Sequence, residues 1–335
     1  MKISRKLAVI LALSTTLLAC SHGAMAVDLN QVQKELATTG AVGWVHGSVA
    51  DRQLYAFTYR NSQNFFDYVV MSLVSQDPGI THQLAALTRH DKVRIKGSFM
   101  DNPSPQKHIL VTSIETVAPY HSSYPVDPYD HQTRIPADLQ GKDSGTFLVH
   151  AVAANGQILV AEYGDAIVPF FVKNGDLTKA LFRGDLVQLQ FKIQDWPDEP
   201  IHLDLNETAP QPVQVLDSIQ SKNGKAGSVE GALILFPKSP EIKFNVFAVQ
   251  ELLPAGLSRQ YTLVNFSDPN VFAQIRNKLQ KAWDQYPNAY VNGRNKLVST
   301  KLTVKATGIF NEVDPSQANP QILLKSADSV QIERQ

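Results

Sequence analysis

Runs of alternating apolar and polar residues recur along this chain, grouped around short helical stretches. The clearest run is "DKVRIKGSF", Asp91 to Phe99. Val93 and Ile95 fall on one side of it, and Lys92, Arg94 and Lys96 on the other, as the period of two in a strand requires. Three strands are predicted before it. "VGWVHGSVADRQLYAFTYR" reads as two strands around a turn at Asp51-Arg52, and "FFDYVVMSLVS" as a third, mostly apolar one. "DPGITHQLAAL" is a turn followed by a short helix, and "HILVTSIETV" is a fifth strand. Ahead of all these, "DLNQVQKELAT" carries Leu29, Val32 and Leu36 at helical spacing, with Asp28 as cap and Gly40 as stop.

The same order returns twice. "GTFLVHAVAANGQILVAEYG" is a hairpin around Asn155-Gly156, a strong turn signal. "AIVPFFV" is the third strand of this unit, "GDLTKALF" a short helix capped by Asp176, "DLVQLQFKI" an alternating strand, and "VQVLDSI" the closing one. In the third unit "SVEGALILF", "IKFNVFAVQELL" and "RQYTLVNF" supply three strands. Ser267-Asp268-Pro269 opens a longer helix with proline in its first turn. "KLVSTKLTVKATGIF" and "ILLKSADSVQI" follow. Direct matches fix the register of the first two units. "LTRHDKVRIKG", from Leu87, and "LFRGDLVQLQF", from Leu181, share Leu, Arg, Asp and Val at a spacing of 94, as His108 and His202 do. Val45-His46 and Val149-His150 match at a spacing of 104.

Strand, strand, strand, helix, strand, strand is the order of an OB-fold, a five-stranded barrel with its helix between strands three and four. The pattern therefore predicts a mainly β chain of three tandem OB-fold-like five-stranded barrels with short helices. The expected boundaries are a leading helix at 27–40, barrels at 41–118, 145–219 and 228–335, a Pro/Tyr-rich linker at 119–144 and a flexible one at 220–227. On this element order and repeat the chain resembles exported bacterial OB-fold proteins, including those grouped as tRNA-anticodon-like OB domains. The resemblance covers most of residues 41 to 332 and implies binding.

Residues 1–26 read as an export signal. Lys2, Arg5 and Lys6 are a basic start, and the apolar run Leu7–Leu18 is too short to span a bilayer. Ala24-Met25-Ala26 fits signal cleavage, whereas Leu17-Leu18-Ala19-Cys20 resembles a lipobox in which Cys20 is lipidated. Both readings stay open: a periplasmic or outer-membrane-associated protein, or a secreted one. Membrane anchoring is expected only if Cys20 is lipidated, and no transmembrane segment is expected after the signal. Cys20 is the sole cysteine, which excludes thiol catalysis, intrachain disulfides and cysteine metal sites from the rest.

The chain balances 31 basic against 31 acidic residues, and removal of the three basic residues of the signal leaves a net charge of −3. That is not the balance of a dedicated nucleic-acid binder. A local basic face is still present. Lys92, Arg94 and Lys96 share one side of their strand with stems about 6–7 Å apart, close to phosphate spacing. Their counterparts Leu186, Gln188 and Gln190 are uncharged, so a solvated strand face is the competing reading. Tyr55, Phe57 and Tyr59 alternate on the second strand and could stack bases or sugars. Their counterparts Leu159, Ala161 and Tyr163 favour a core role.

Arg89 with Asp91, and Arg183 with Asp185, are either paired ligand contacts or a structural corner that each barrel must build; the corner is the favoured reading. His46, His108, His150 and His202 lack metal-site spacing and fall in separate repeats, so no metal is expected. G-x-S-x-G, Walker A and G-x-G-x-x-G are absent, and the acidic "DWPDEP" loop, Asp195–Pro200, reads as solvated. No catalytic residue and no cofactor are expected. The expected function is non-catalytic binding or scaffolding, with an envelope or extracellular protein as partner. The alternative is a polyanion, nucleic acid or acidic glycan, on the first barrel.

Overall fold

The leading helix is α1, Leu29–Ala37. The Asp28 carboxylate caps it by accepting the Asn30 N–H at 2.9 Å. In this computed structural model the described residues are 27–49, 54–60, 68–101, 107–120, 135–153, 155–164, 166–194, 202–239, 242–292, 296–311 and 319–334. The expected signal with Cys20, the Asp51-Arg52 turn and the "DWPDEP" loop lie outside them. The described residues up to Tyr120 form one compact unit, and those from Ile135 onward form a second.

The first unit holds β1 (Ala41–Val49), β2 (Leu54–Arg60), β3 (Tyr68–Val74), α2 (Pro78–Ala85), β4 (Lys92–Phe99) and β5 (His108–Ala118). They close a barrel in the order β1-β2-β3-β5-β4, with β4 returning to β1. β3 and β5 run parallel, which the crossover through α2 makes possible. The alternation does what it predicted: Val93 and Ile95 are fully buried, and Lys96 is exposed. Phe57, Met71 and Ile109 pack beside them, closed over by Val32 and Leu36 of α1 and Leu84 of α2.

The second unit contains two more barrels. The first of these has a 3-10 turn at Ala137–Leu139, then β6 (Ser144–Val152), β7 (Ile158–Tyr163), β8 (Ala166–Phe171), β9 (Leu186–Gln194), β10 (His202–Leu205) and β11 (Val213–Asp217). β10 closes the ring, parallel to β8 and antiparallel to β9. The strand expected over "VQVLDSI" is only the tail of a broken fifth strand. Its first piece, β10, has four residues, too few for their alternation to establish a strand.

The helix expected over "GDLTKALF" is a single 3-10 turn, Gly175–Leu177. Its cap is Asn174, not Asp176: the Asn174 side chain accepts the Asp176 N–H at 3.2 Å. Gly175 sits so close to the Asn155-Gly156 hairpin that any Cβ there would overlap the Asn155 carbonyl. The Thr178 hydroxyl ties the same turn to the Gly156 carbonyl. Two such anchors stop the helix from continuing.

The third barrel is β12 (Ala226–Phe236), β13 (Val246–Leu252), β14 (Ser258–Val264), α3 (Pro269–Gln285), β15 (Ala289–Asn292), β16 (Lys296–Asn311), β17 (Gln321–Leu323) and β18 (Val330–Arg334). Its ring is β12-β13-β14-β17-β16, and β16 returns to β12. α3 is capped by Asp268 and drives Ile275, Leu279 and Trp283 into the core beside Leu233, Val249 and Tyr261. All three units are OB-like five-stranded barrels.

Residues at or beside the expected linkers take part in the cores. Ile135 and Leu139, from the tail of 119–144, are buried in the second barrel. Ile219, just before 220–227, is buried in the third. Each barrel is thus preceded by an apolar plug at a helical segment: Leu36 within α1, Leu139 within its 3-10 turn, and Ile219 just ahead of the 3-10 turn Gln220–Lys222. The plugs of the first two are tied alike. Tyr59 donates its hydroxyl to Glu35 at 3.0 Å, and Tyr163 to Asp138 at 2.7 Å.

Candidate functional site

The repeated sequence stretches meet at one corner in each of the first two barrels. The Val45 N–H donates to the Asp91 carbonyl, and the His90 N–H to the Val45 carbonyl, both at 2.8 Å. The Val149 N–H donates to the Asp185 carbonyl, and the Gly184 N–H to the Val149 carbonyl, again at 2.8 Å. Val45 pairs with Phe57 and Gly47 with Ala56, which leaves His46 as the extra residue of a β-bulge. His150 is the extra residue between the Val149 and Ala151 pairs. Val-His and Leu-x-Arg-x-Asp are the two sides of one joint, which explains why they recur together.

The aspartates hold the joint. Asp91 accepts the N–H groups of Thr88 and Tyr120, each at 2.8 Å. Asp185 accepts those of Phe182 at 2.8 Å and Ile219 at 2.7 Å. Burial pushes the Asp185 carboxyl up, against the pull of these two bonds. The residue before each Asp is left-handed, His90 at φ 74° and Gly184 at φ 92°. Glycine is the easier occupant of that region. A Cβ at Gly184 would also press on Ile219 and Pro320 at 3.1 and 3.2 Å.

In the second barrel this corner receives the third. Arg183 donates from Nη1 to the His150 carbonyl at 3.1 Å and from Nε to Asn319 Oδ1 at 2.8 Å. Arg259, fully buried on β14, donates from Nε to the Gly184 carbonyl at 2.7 Å and from Nη1 to Asp217 Oδ2 at 2.8 Å. Burial pushes the Asp217 carboxyl up, but bonds from Lys222 and Arg259 outweigh it and hold the group below its ordinary value. Beside them Leu148 and Leu186 pack on Leu257 and Leu253. Arg259 also lies 3.4 Å from Glu251 and 3.3 Å from the Tyr261 hydroxyl in its own barrel, but the sequence contained no signal for its bridge, because Gly184 and Asp217 belong to another barrel.

The other candidates are placed as follows. Tyr55 and Phe57 lie in the first core, 3% and 0% exposed, so their rings are not on an outer stacking face. Tyr59 reaches Glu35, and burial followed by that bond pushes its phenol up to about 12. Lys92, Arg94 and Lys96 stand on the outer face. Arg94 is paired with Glu115 from β5, Lys96 is exposed, and the Lys92 Nζ lies 5.6 Å from the Trp44 ring centroid. Trp44 was not singled out from the sequence. Its signal was its parity: it alternates with Val45 and so faces outward, directly opposite Lys92.

The four histidines are dispersed over two units. His46 Nδ1 is 3.0 Å from the Thr58 hydroxyl, and His150 Nδ1 is 2.7 Å from Glu162 Oε1. His108 and His202 each open a fifth strand. Burial pushes His108 down, while His202 lies 3.4 Å from Asp204 and edge-on to Phe171. Among the described residues no group of three or more His, Cys, Asp or Glu is arranged to hold a metal ion. No helix of the described residues is long and apolar enough to cross a membrane.

No protein-family model matches this sequence, and no curated protein matches it. Among solved structures, a murine DNA-binding protein bound to double-stranded DNA aligns at 12% identity and TM-score 0.19, over 53% of this chain and 99% of that one. Tetrameric p202 HIN2 aligns at 12% and 0.19, over 49% and 80%. Drosophila Unr CSD456 aligns at 14% and 0.16, over 68% and 82%.

Proposed function

We propose that this chain is an exported, non-catalytic binding or scaffold protein that engages another macromolecule, in the cell envelope or outside the cell. The supporting observation is that each barrel interior is filled by its own side chains. Phe57 and Met71 fill the first. Phe147, Phe170 and Phe191 fill the second in mutual edge-to-face contact, 5.1–6.1 Å apart. Tyr261 and Trp283 help fill the third. A packed small barrel leaves its outer strands, loops and corners for recognition. The basic start and short apolar run of residues 1–26 support export.

The test is cell fractionation combined with site-specific photo-crosslinking from Val42, Val215 and Phe266. A chain outside the cytoplasm with a crosslink to one defined macromolecule is the expected result. Cytoplasmic retention, or no crosslink from any position, overturns the proposal.

A second reading, polyanion binding, is favoured by Lys92 and Lys96 on one outer face. It belongs to the first barrel, whose fourth strand carries this face, and not to the second, where residues 145–219 carry 10 acidic against 4 basic side chains. With Arg94 held by Glu115, two phosphate contacts remain. They correspond to a salt slope of about −1.4 on single strands. Titration of a single-stranded oligonucleotide and a sulfated glycan at several salt concentrations tests it. Binding that Lys92→Ala/Lys96→Ala leaves unchanged removes this reading.

A further inference from the structure

We propose that the corner of the first barrel is a socket for an acidic β-hairpin on a partner protein. The proposal rests on the protein-partner reading above and names the chemistry of that partner. The second barrel shows what such a corner accepts. Its socket is built from the outward pair Leu148–Leu186, the carbonyl of left-handed Gly184 and the carboxylate of Asp217. The β13–β14 hairpin fills it, with Leu253 and Leu257 on the leucine pair and Arg259 on the carbonyl and carboxylate.

The first barrel builds the same corner with other side chains. The outward pair is Trp44–Lys92 in place of Leu148–Leu186, at the same step of the β1–β4 ladder. His90 replaces Gly184 in the left-handed position. Ala118, opposite Lys92, replaces Asp217, opposite Leu186. Trp44 and Lys92 are both part-exposed, whereas Leu148 and Leu186 are buried under the third barrel.

Two consequences follow from the exchange. The indole offers a wider apolar platform than leucine for the tip of an incoming hairpin. The charge at the rim is reversed, because a carboxylate has been removed and an ammonium added. An arginine in the place of Arg259 would meet Lys92 with no acid from the corner in the place of Asp217, leaving only Glu251 of its own hairpin at 3.4 Å, and like charges at close range discriminate against such a partner. A glutamate or aspartate there would pair with Lys92. The fitting partner is therefore a hairpin with an apolar residue at its turn and an acidic one just beyond it.

The test uses the full chain and two cyclised hairpin peptides of residues 246–264, one native and one carrying Arg259→Glu. Cyclisation is needed because an isolated hairpin is marginal in water. The Arg259→Glu peptide is expected to bind at least about tenfold more tightly than the native one, with the preference lost at high salt. In a Lys92→Glu chain the preference should reverse. Trp44→Ala should weaken both peptides, and Trp44→Phe should restore part of the loss. Thermal melts of each variant separate this from misfolding. Equal binding of the two peptides, or a preference that Lys92→Glu leaves in place, overturns the socket. Failure of both peptides also overturns it, while the crosslinks from Val215 and Phe266 still decide the protein-partner reading. Lys92-dependent binding of a single-stranded oligonucleotide with no peptide binding overturns it in favour of the polyanion.

Discussion

The Asp185 carboxylate accepts the backbone N–H of Ile219 at 2.7 Å, and the Ile219 side chain is the plug of the next barrel. One carboxylate therefore closes the turn of its own barrel and positions the chain that enters the following one. Asp185→Ala would strand the buried N–H of Ile219 together with that of Phe182. A cost of about 2–3 kcal/mol is expected, the range for an unsatisfied buried donor. Asp91→Ala removes the same pair of bonds next to the less enclosed Tyr120 and should cost about 0.5–2 kcal/mol. Urea denaturation of both variants checks the order. An Asp91 variant as damaged as the Asp185 variant would contradict it.

The burial of Asp185 has a pH signature. Its folded pKa is raised above the ordinary 3.8. The stability it contributes is therefore present below 3.8 and is lost as pH rises through the folded value. Asp185→Asn cannot titrate. Relative to that variant, the wild type should lose stability between about pH 4 and neutrality. Denaturation midpoints of the two proteins across this range give the answer. A difference that grows in favour of the wild type as pH rises would show the sign to be wrong.

Arg259 bridges two barrels from a fully buried position. Arg259→Ala leaves the Gly184 carbonyl without this donor and Asp217 with only Lys222. A loss of about 3 kcal/mol is expected. Arg259→Lys should recover little of it, because one ammonium does not reproduce a planar fork that reaches two acceptors. The readout is differential scanning calorimetry: loosening of this joint should split or broaden the transition of the second and third barrels.

Leu139 lies in sequence that reads as linker, yet it is fully buried in the second barrel. Leu139→Ala should cost about 2–5 kcal/mol, as in other cores. A chain trimmed to begin at Gly145 should be destabilised still further. Proteolytic half-lives of both forms measure the effect, and wild-type resistance of the trimmed chain would show that the plug is dispensable.

The Tyr59 phenol is pushed up to about 12 by burial and its bond to Glu35. Tyr261 is likewise raised to about 12 by burial, so ultraviolet titration should show both tyrosines ionising well after the exposed ones, and the late step should shrink by one tyrosine in Tyr59→Phe. Replacement of Glu35 by Gln should bring the Tyr59 step to lower pH, because the carboxylate no longer opposes a phenolate.

Element order was legible because strand alternation and the Asp28, Asp77 and Asp268 caps are local signals. The corner was legible because it is written twice. Parity was harder to read. Alternation showed that Tyr55 and Phe57 share a side, and the choice of the core for it came from their counterparts in the second repeat, in agreement with their burial in the closed barrel. Four-residue pieces such as β10 and β15 are too short to show a period. The bridge from Arg259 to Gly184 and Asp217, and the burial of Ile219 in the third barrel, both cross between barrels, so nothing near these residues in sequence announces those roles. Trp44 was readable in principle, since its parity follows from that of Val45.

The corner also gives the repeat a polarity. Each corner carboxylate reaches forward to the chain that follows its own barrel, Tyr120 for Asp91 and Ile219 for Asp185, so the corner is completed by sequence downstream of it. During synthesis the first joint can set only once Tyr120 has emerged, and the second only once Ile219 has.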